Sequence, residues 1–511
     1  MVNASWMKGT VILTITSFFI KILSMVYKIP YQNIVGDEGL YVFQQVYPLL
    51  GIYMILSTVV LPTVISDLLL TYQYSEDIKL YIKRSLWIFS IFIFGILFLG
   101  SNQIAHLMGD VQLATSIRII GLFFLPMPTL VYLRGVAQTR ANTIYRVGIS
   151  NTIEQIVRVA AIVLVLVQFN SSDIYEIAYS SYLLGILGPL LALIYLSLLK
   201  RDDSPQIFLK MKSHPQLFKK ILFLFLCAGI LIIFQLIDSF FIFNSLVRGG
   251  TSALEAMQLK GIYDRGLPII QSATFFVSAI ASSTVPQMSK AKDEKEQNNI
   301  FNSALFFIIL CSIPAAVGLF TVVEQLNIAL FTDSSGTLAL KILSAQVLFY
   351  PFTYLITAVS QQENRYSQLL VSVLAGIFFK LILTAPLTQS FGINGAALSS
   401  VIAIGVMCLI NIVQFRKRIF KQSIFNFIKT LISAGCMWVC IDYLSPTLIS
   451  YIAFENVRLF NIMSLLVQVF VGIVTYAIFM MLFILTSKSP SSGVKGRKRK
   501  KRRNNSRRLK K

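Results

Sequence analysis

Histidine is almost missing from this sequence: His106 and His214 are the only two among 511 residues. Neither has a neighbouring metal ligand at a usable spacing, so a histidine metal centre or a Ser/His/Asp relay has nothing to be built from. Cysteine is sparse too. Cys227, Cys311, Cys408, Cys436 and Cys440 all lie in apolar runs, without zinc spacing or a disulfide framework. No Gly-x-x-x-x-Gly-Lys-Ser/Thr loop occurs, which removes nucleotide hydrolysis by that route. Carboxylate clusters and large soluble stretches are also wanting, so the chain is not expected to be an enzyme, nor to need a metal or a cofactor. Acid is the scarcer charge, with 22 Asp and Glu against 45 Lys and Arg, for a formal net charge of +23. Charged residues of both signs make up only 13% of the chain, and the short alternating segments of a β-barrel are absent.

What is present is apolar: 56% of residues are hydrophobic. Runs of about twenty such residues, each long enough to cross a bilayer as a helix, fall near 10–29, 40–66, 85–101, 117–138, 149–168, 177–199 and 221–243. More follow near 266–287, 300–321, 338–359, 367–388, 393–414, 426–446 and 461–486. They predict an all-α integral membrane protein of about fourteen transmembrane helices. Its amino end has a lysine before an apolar run, as a signal peptide does, but Lys21 interrupts that run and no small-residue cleavage site follows. An uncleaved first span is expected.

Loop charge then orients the chain. With the N-terminus inside, the cytoplasmic loops collect Lys79, Lys83, Arg84, Arg140, Arg146, the basic stretch 200–220, Lys290, Lys292, Lys295 and Arg365. The opposite loops carry Asp110, Asp173, Glu176, Glu324, Asp333 and Glu455 with few cations, which places both termini in the cytoplasm of a multi-pass plasma-membrane protein. The run from Lys495 to Lys511 is strongly basic and free of acid. It reads as a disordered cytoplasmic tail obeying the same rule. Anionic lipid is its natural neighbour, and no nucleic-acid partner is expected.

A duplication shows in the prolines. The step from Pro62 to Pro128 equals that from Pro286 to Pro351 within one residue, and Gln138 and Gln361 follow at a common distance. Internal repeats of this kind build transporters from two halves with the substrate site between them. The expected division is an N-terminal six-helix lobe (1–200), a pseudo-symmetric second lobe (201–415), two additional helices (416–487) and the tail (488–511). Pro48, Pro126, Pro128, Pro268, Pro314 and Pro351 are candidate kinks.

The chain is organised around its first hairpin. Lys21 and Lys28 stand in or at the end of the first apolar run, where facing lipid would cost about 3 kcal/mol near the centre. They are expected to face a wet cleft instead. A hinge at Val35-Gly36-Asp37-Glu38-Gly39 leads into a second helix with Gln44, Gln45, Tyr47 and Pro48. Other charges fall within spans: Arg134, Glu154, Arg158, Asp238 and Lys380, with Asp264 and Arg265 at the head of the eighth. Glu154 and Arg158 are four apart on one helix and so can pair. Arg134 is close enough to a helix end to snorkel. Asp238 could neutralise Arg265 or a lysine across the cleft, and no partner for Lys380 is readable. Cations facing a cleft suit a phosphate or pyrophosphate, whose oxygens accept charge-assisted hydrogen bonds.

The run Lys8-Gly9-Thr10, Lys21-Ile22-Leu23, Tyr27-Lys28-Ile29-Pro30, Gly36-Asp37-Glu38-Gly39-Leu40-Tyr41 and Gln45-Val46-Tyr47-Pro48 resembles the first hairpin of the polysaccharide-biosynthesis flippases. Tyr263-Asp264-Arg265-Gly266-Leu267-Pro268 through Pro286-Gln287-Met288-Ser289 resembles their eighth helix. These flippases belong to the multidrug/oligosaccharidyl-lipid/polysaccharide (MOP) exporter superfamily, in the branch of the MurJ- and SpoVB-like proteins. The resemblance implies a 14-helix flippase moving a polyprenyl-(pyro)phosphate-linked glycan by alternating access, with Na+, H+ or the membrane potential as drive. It also implies a cargo site at cavity cations of the first, second and eighth helices. The matching positions here are Lys21, Lys28 and Arg265, with Asp264 beside the last. The second helix offers Gln44 and Gln45 but no arginine, and a lysine lacks the bidentate fork. Glu154, Arg158, Asp238 and Lys380 remain as coupling or cavity charges. A cation-coupled multidrug (MATE-type) antiporter is the second reading and would need buried acids in the first lobe. A membrane-embedded glycosyltransferase would need a carboxylate-rich outer loop.

Overall fold

The computed structural model describes residue 23 and residues 27–73, 75–140, 142–168, 173–199, 215–363, 365–419, 421–449 and 456–487. Lys21 and the basic tail lie outside them. Among the described residues every regular element is a helix. The first set comprises α1 (Lys28–Ile55), α2 (Leu61–Thr71), α3 (Glu76–Leu99), α4 (Ser101–Met108), α5 (Ala114–Leu122), α6 (Met127–Gln138), α7 (Ile144–Gln168), α8 (Ile174–Gly185) and α9 (Leu187–Leu198). The second comprises α10 (Pro215–Ala228), α11 (Ile230–Arg248), α12 (Ala253–Met288), α13 (Glu294–Phe331), α14 (Thr337–Ser344), α15 (Gln346–Gln362) and α16 (Tyr366–Phe415). Helices α17 (Lys421–Ile449) and α18 (Val457–Ser487) follow.

Ten of these helical stretches are long and apolar enough to cross a membrane, or eleven if Val111–Leu122 and Met127–Gln138, bent by 45° at their junction, count as one span. That differs from the expected fourteen for three reasons, one being that α12, over the expected run 266–287, is not among those counted. The first apolar run lies mostly outside the described residues. In addition, α16 has 50 residues, about 75 Å of helix against a hydrocarbon core of about 30 Å. It is broken at Gly392, whose φ of 58° is a left-handed conformation, so 366–391 and 393–415 are two antiparallel crossings. The large exposed side chains are apolar along whole faces, among them Ile88, Ile91 and Phe92 on α3 and Leu466, Phe470 and Ile473 on α18. Such faces are stable in lipid, where they meet no water.

Pro62 does not end its helix, which runs on to Thr71. The helix does so by widening into a π-helical turn at Leu56–Val60 just before the proline, which accommodates the missing N–H and loosens local backbone pairing. Pro48, Pro314 and Pro351 sit inside helices, as does Pro386, and Pro126 and Pro128 mark the break before α6.

The hinge lies at Gly36, whose φ of 78° turns α1 back on itself; a side chain there would be strained. The hinge, the α13–α14 turn and the junction inside α16 share one end of the bundle, called the hinge face below. One apolar core joins the two sets: Tyr41 stacks obliquely on Phe243, centroids 5.3 Å apart, and Leu246, Tyr263 and Leu340 continue the same cluster. Helices α17 and α18 pack on the flank of α13, where the Tyr476 hydroxyl donates to the Leu310 carbonyl at 2.7 Å.

Helix α12 approaches the hinge backbone to backbone. A β-carbon on Gly261 would stand 2.0 Å from the Asp37 carbonyl oxygen, a contact that only displacement of the main chain relieves. Gly261→Ala should therefore lower thermal stability by about 1–3 kcal/mol through overpacking and push the hinge off α12. A spin-label distance between residues 38 and 258 should lengthen. An unchanged distance and melting temperature would remove this approach from the account.

Candidate functional site

Three charge clusters follow from this packing. The first fastens the hinge. Arg265, with its side chain fully buried, donates from Nη2 to Asp333 Oδ1 at 2.6 Å and from Nη1 to Asp333 Oδ2 at 2.9 Å. Nη1 also reaches Asp37 Oδ2 at 3.2 Å, and Nη2 donates to the Ser335 carbonyl at 2.8 Å. Its planar fork is what lets one cation hold two carboxylates from separate parts of the chain. Phe331 lies under the guanidinium, 5.1 Å from its centroid. Around this centre the Gln32 amide donates to Asp37 at 3.0 Å, that of Gln258 to Glu38 at 2.8 Å, and that of Asn33 to the Leu330 carbonyl at 3.0 Å.

Asp333 lies in the turn after α13. Desolvation raises its pKa, but hydrogen bonds from Arg265 and the Ser335 N–H outweigh that, and the carboxyl is held below its ordinary range. The sign follows from linkage. A depressed carboxyl stabilises the fastened state at every pH above its ordinary value and loses that contribution as pH falls through the depressed one. The Asp333–Arg265 link, followed by a label pair between the α13–α14 turn and α12 from pH 8 to pH 3, should hold down to about pH 4 and open below it. Opening of this link at pH 6 would contradict the assignment.

The second cluster is in the first set of helices. Arg134 is wholly buried and does not snorkel. It donates to Glu154 Oε2 at 2.6 Å, to Ser150 Oγ at 3.1 Å and to the Ser57 carbonyl at 3.0 Å. Ser57 belongs to the π-turn, so the widening ahead of Pro62 presents a carbonyl to this arginine. Glu154 thus pairs with Arg134 on α6, not with Arg158 one turn along its own helix. Arg158 donates to Gln155 and lines a tight recess with Tyr27, Tyr47 and Tyr182.

The third is in the second set. Asp238 pairs with Lys380 at 2.5 Å and accepts from the Tyr263 hydroxyl at 3.2 Å. The Lys380 ammonium also donates to Ser400 at 2.6 Å and Ser399 at 3.1 Å. Asp238 is therefore neutralised by α16 and not by Arg265. Asp264 is held at both oxygens by Lys260, 2.6 Å from each, one turn earlier on α12.

These pairings leave a remainder. The buried cations are Lys28, Arg134, Arg158, Lys260, Arg265 and Lys380. Among the described residues, Lys28 and Arg158 are the two without a carboxylate in ion-pair reach. Tyr47 links them: its ring lies 4.6 Å beneath the Lys28 ammonium and also lines the Arg158 recess. Lys28 and Arg265 both line a cavity of about 590 Å³ between α1, α12 and α13. The rest of its wall is largely apolar, including Ile29, Ile269, Phe276, Val277, Leu326 and Leu330. Gln44 is buried nearby in sequence. Gln45 is engaged elsewhere, its amide donating to the Ser239 carbonyl at 2.6 Å and the Met108 carbonyl at 3.3 Å, where it ties α1 to α11 and α4.

Sequence reasoning passed over Asp37 and Asp333 as partners of Arg265, and Lys260 altogether. Asp37 stood within the hinge motif, Asp333 was visible as a loop acid, and the Lys260–Asp264 spacing of one turn was available as a signal.

The polysaccharide biosynthesis protein family matches residues 6–292 of the chain. An uncharacterized membrane protein of Bacillus subtilis (strain 168), YabM, is 33% identical over 82% of this chain and 81% of its own length. The lipid II flippase MurJ of the same organism is 22% identical, covering 89% of this chain and 91% of that one. In three dimensions the chain superposes on a solved structure of the lipid II flippase MurJ in an inward closed conformation with a TM-score of 0.70, at 16% identity over 93% and 98% of the two chains. An inward-facing multidrug resistance MATE family transporter of the MOP superfamily gives 0.59, at 15% identity over 80% and 98%. The fold is thus the one these transporters share.

Proposed function

Because the chain belongs to the polysaccharide biosynthesis protein family, we propose that it is a flippase for a polyprenyl-(pyro)phosphate-linked glycan precursor of the cell envelope. The observation that carries this reading is the amphipathic cavity between α1, α12 and α13. Two cations, Lys28 and Arg265, line about 590 Å³ of otherwise largely apolar space. An anionic head on a hydrocarbon chain has the same polarity pattern. The phosphate would take charge-assisted hydrogen bonds at these cations while the lipid lies along the apolar wall.

The two halves, 1–200 and 201–415, would rock about this cavity, with 416–487 riding on α13. Both termini are assigned to the cytoplasm of the plasma membrane by loop charge, which makes the hinge face external. The Arg265 link between Asp37 and Asp333 then closes the external side. Cargo phosphate and the gate carboxylates compete for one guanidinium, so loading from the cytoplasm would loosen the gate it must pass. Lys21 is assigned to the same cationic path by its place in the first run. A Na+ or H+ gradient or the membrane potential would supply the drive. The multidrug-antiporter reading is less well supported, since it needs a free buried acid in the first half and Glu154 is engaged by Arg134.

The test is flipping by the purified full-length protein in liposomes, across a panel of polyprenyl-pyrophosphate glycans. Lys28→Met should reduce the initial rate at least tenfold, the equivalent of about 1.4 kcal/mol, with insertion unchanged. Transport of organic cations but of no lipid-linked glycan would replace this reading with the antiporter.

A further inference from the structure

A second polar recess lies apart from the Lys28–Arg265 cavity, between the hinge-face ends of α13, α17 and α18. Its volume is about 410 Å³, and Gln325, Ser445, Asn461, Ser464, Gln468 and Phe460 line it. Ser464 and Gln468 are 2% and 8% exposed, yet among the described residues Ser464 Oγ and Gln468 Oε1 have no hydrogen-bond partner, and neither has Gln325 Oε1. Inside a bilayer each unsatisfied group of this kind is costly. The Ser464 hydroxyl is unusual within the same chain. Ser433, Ser445 and Thr475 donate to the carbonyl one turn back, the ordinary resting place for a helical hydroxyl. Ser464 leaves that position and stands in the recess.

The chemistry of the wall narrows what could fill it. Among the described residues no charged side chain lines the recess. Arg458, at the start of α18, is committed to the carbonyls of Ala329 at 2.9 Å and Leu330 at 3.3 Å. A phosphate brings acceptors only and would meet amide and hydroxyl oxygens with no cation to offset them. Hydroxyl groups bring donors to those oxygens and accept from the amide nitrogens beside them. Phe460 and Ile449 add an apolar wall against which the C–H face of a sugar ring can lie. Depth agrees with a lipid head group. Ser445 is four residues from the end of α17 and Gln468 eleven from the start of α18, or about 6 Å and about 16 Å below the helix ends. The volume is within the usual range for a small-ligand site.

We infer that the hinge-face ends of α13, α17 and α18 form a binding site for a neutral, hydroxyl-rich sugar head group, presented by a membrane glycolipid. The site shares no residue with the transport cavity and stands independently of the flippase reading.

The experiment uses the full-length protein in nanodiscs of phosphatidylcholine, alone or supplemented with diglucosyl-diacylglycerol or with sugar-free diacylglycerol, and separately with maltose in the surrounding buffer. Diglucosyl-diacylglycerol should raise the melting temperature by about 2 °C or more and should be retained preferentially in native mass spectrometry. The doubly substituted Gln468→Leu, Ser464→Ala protein should keep its fold, because replacing an unsatisfied buried polar group by an apolar one is close to neutral. It should lose the glycolipid-dependent shift. Stabilisation by maltose alone supports the same sugar site and identifies a soluble source. Equal stabilisation by sugar-free diacylglycerol, or the full shift persisting in the double variant, overturns the inference. Should the double variant fail to fold, retention of glycolipid by the wild-type protein at no more than its mole fraction overturns it equally.

Discussion

Arg265→Gln is expected to abolish transport while leaving a folded protein in the membrane. The side chain is fully buried and contacts two carboxylates, a backbone carbonyl and an aromatic face. Each charge-assisted hydrogen bond contributes about 1.5–3 kcal/mol. Glutamine keeps one donor group but neither the charge nor the fork. Two consequences act in the same direction. Asp37 and Asp333 are left facing each other without a cation between them, so the hinge face no longer closes tightly. The cavity at the same time loses one of the two cations that line it, so an anionic head binds less well. The expected loss in flipping rate is a hundredfold or more, corresponding to about 2.8 kcal/mol.

Two further variants separate the effects. Arg265→Lys keeps the charge without the bidentate geometry and should fall between wild type and Arg265→Gln. The Asp37→Asn, Asp333→Asn protein loses the gate but keeps the cavity cation. It should bind cargo at least as well as wild type and show a mobile hinge in the 38–258 label distance. Full activity in Arg265→Gln would mean that the guanidinium serves neither role.

The other large effect is on stability. Lys380→Ala removes the partner of a carboxylate that is 2% exposed. Breaking a buried ion pair by deleting one member costs about 3–5 kcal/mol, because the remaining charge is uncompensated. Much of the protein should then fail to reach the membrane in folded form, or should melt well below wild type in detergent. Asp238→Leu is expected to behave in the same way, since it strands the ammonium between Ser399 and Ser400. The double variant Asp238→Leu, Lys380→Met should recover most of the loss, as replacement of a whole buried pair by apolar residues is often neutral. Strict additivity of the two single losses would show that the pair is not coupled. The recovered double variant has a second use. If it is folded and still flips lipid, the pair is a fastener of the second half; if it is folded and inactive, the pair belongs to the coupling machinery.

How far the molecule was legible depends on which forces act locally. An apolar run of membrane-spanning length can satisfy its backbone only as a helix, and the all-helical membrane fold was accordingly readable from hydropathy alone. The hinge of the first hairpin was readable as well, because Gly36 supplies the left-handed backbone the turn needs. The break inside α16 at Gly392 was also within reach, as two apolar runs met there. Pair identities were not. Glu154 had Arg158 at helical spacing, and that pairing looked sufficient until α6 was seen to bring Arg134 to the same carboxylate at 2.6 Å. Arg134 reads as a snorkelling side chain from the sequence because its distance from the helix end is a local property, whereas its burial depends on α2 and α7 packing over it.

Residue types read along the chain are enough to require membrane helices, a mostly cationic charge, and shelter from lipid for some of that charge. These are consequences of composition and spacing, since transfer costs are paid residue by residue. Which cations remain available for an anion was decided only by the tertiary structure. Among the described residues Arg134, Lys260, Arg265 and Lys380 are engaged by acids, all but the partner of Lys260 brought from other helices or turns, while Lys28 and Arg158 are not. A charge a few ångströms away outweighs one farther along the same helix, and that distance is set by packing.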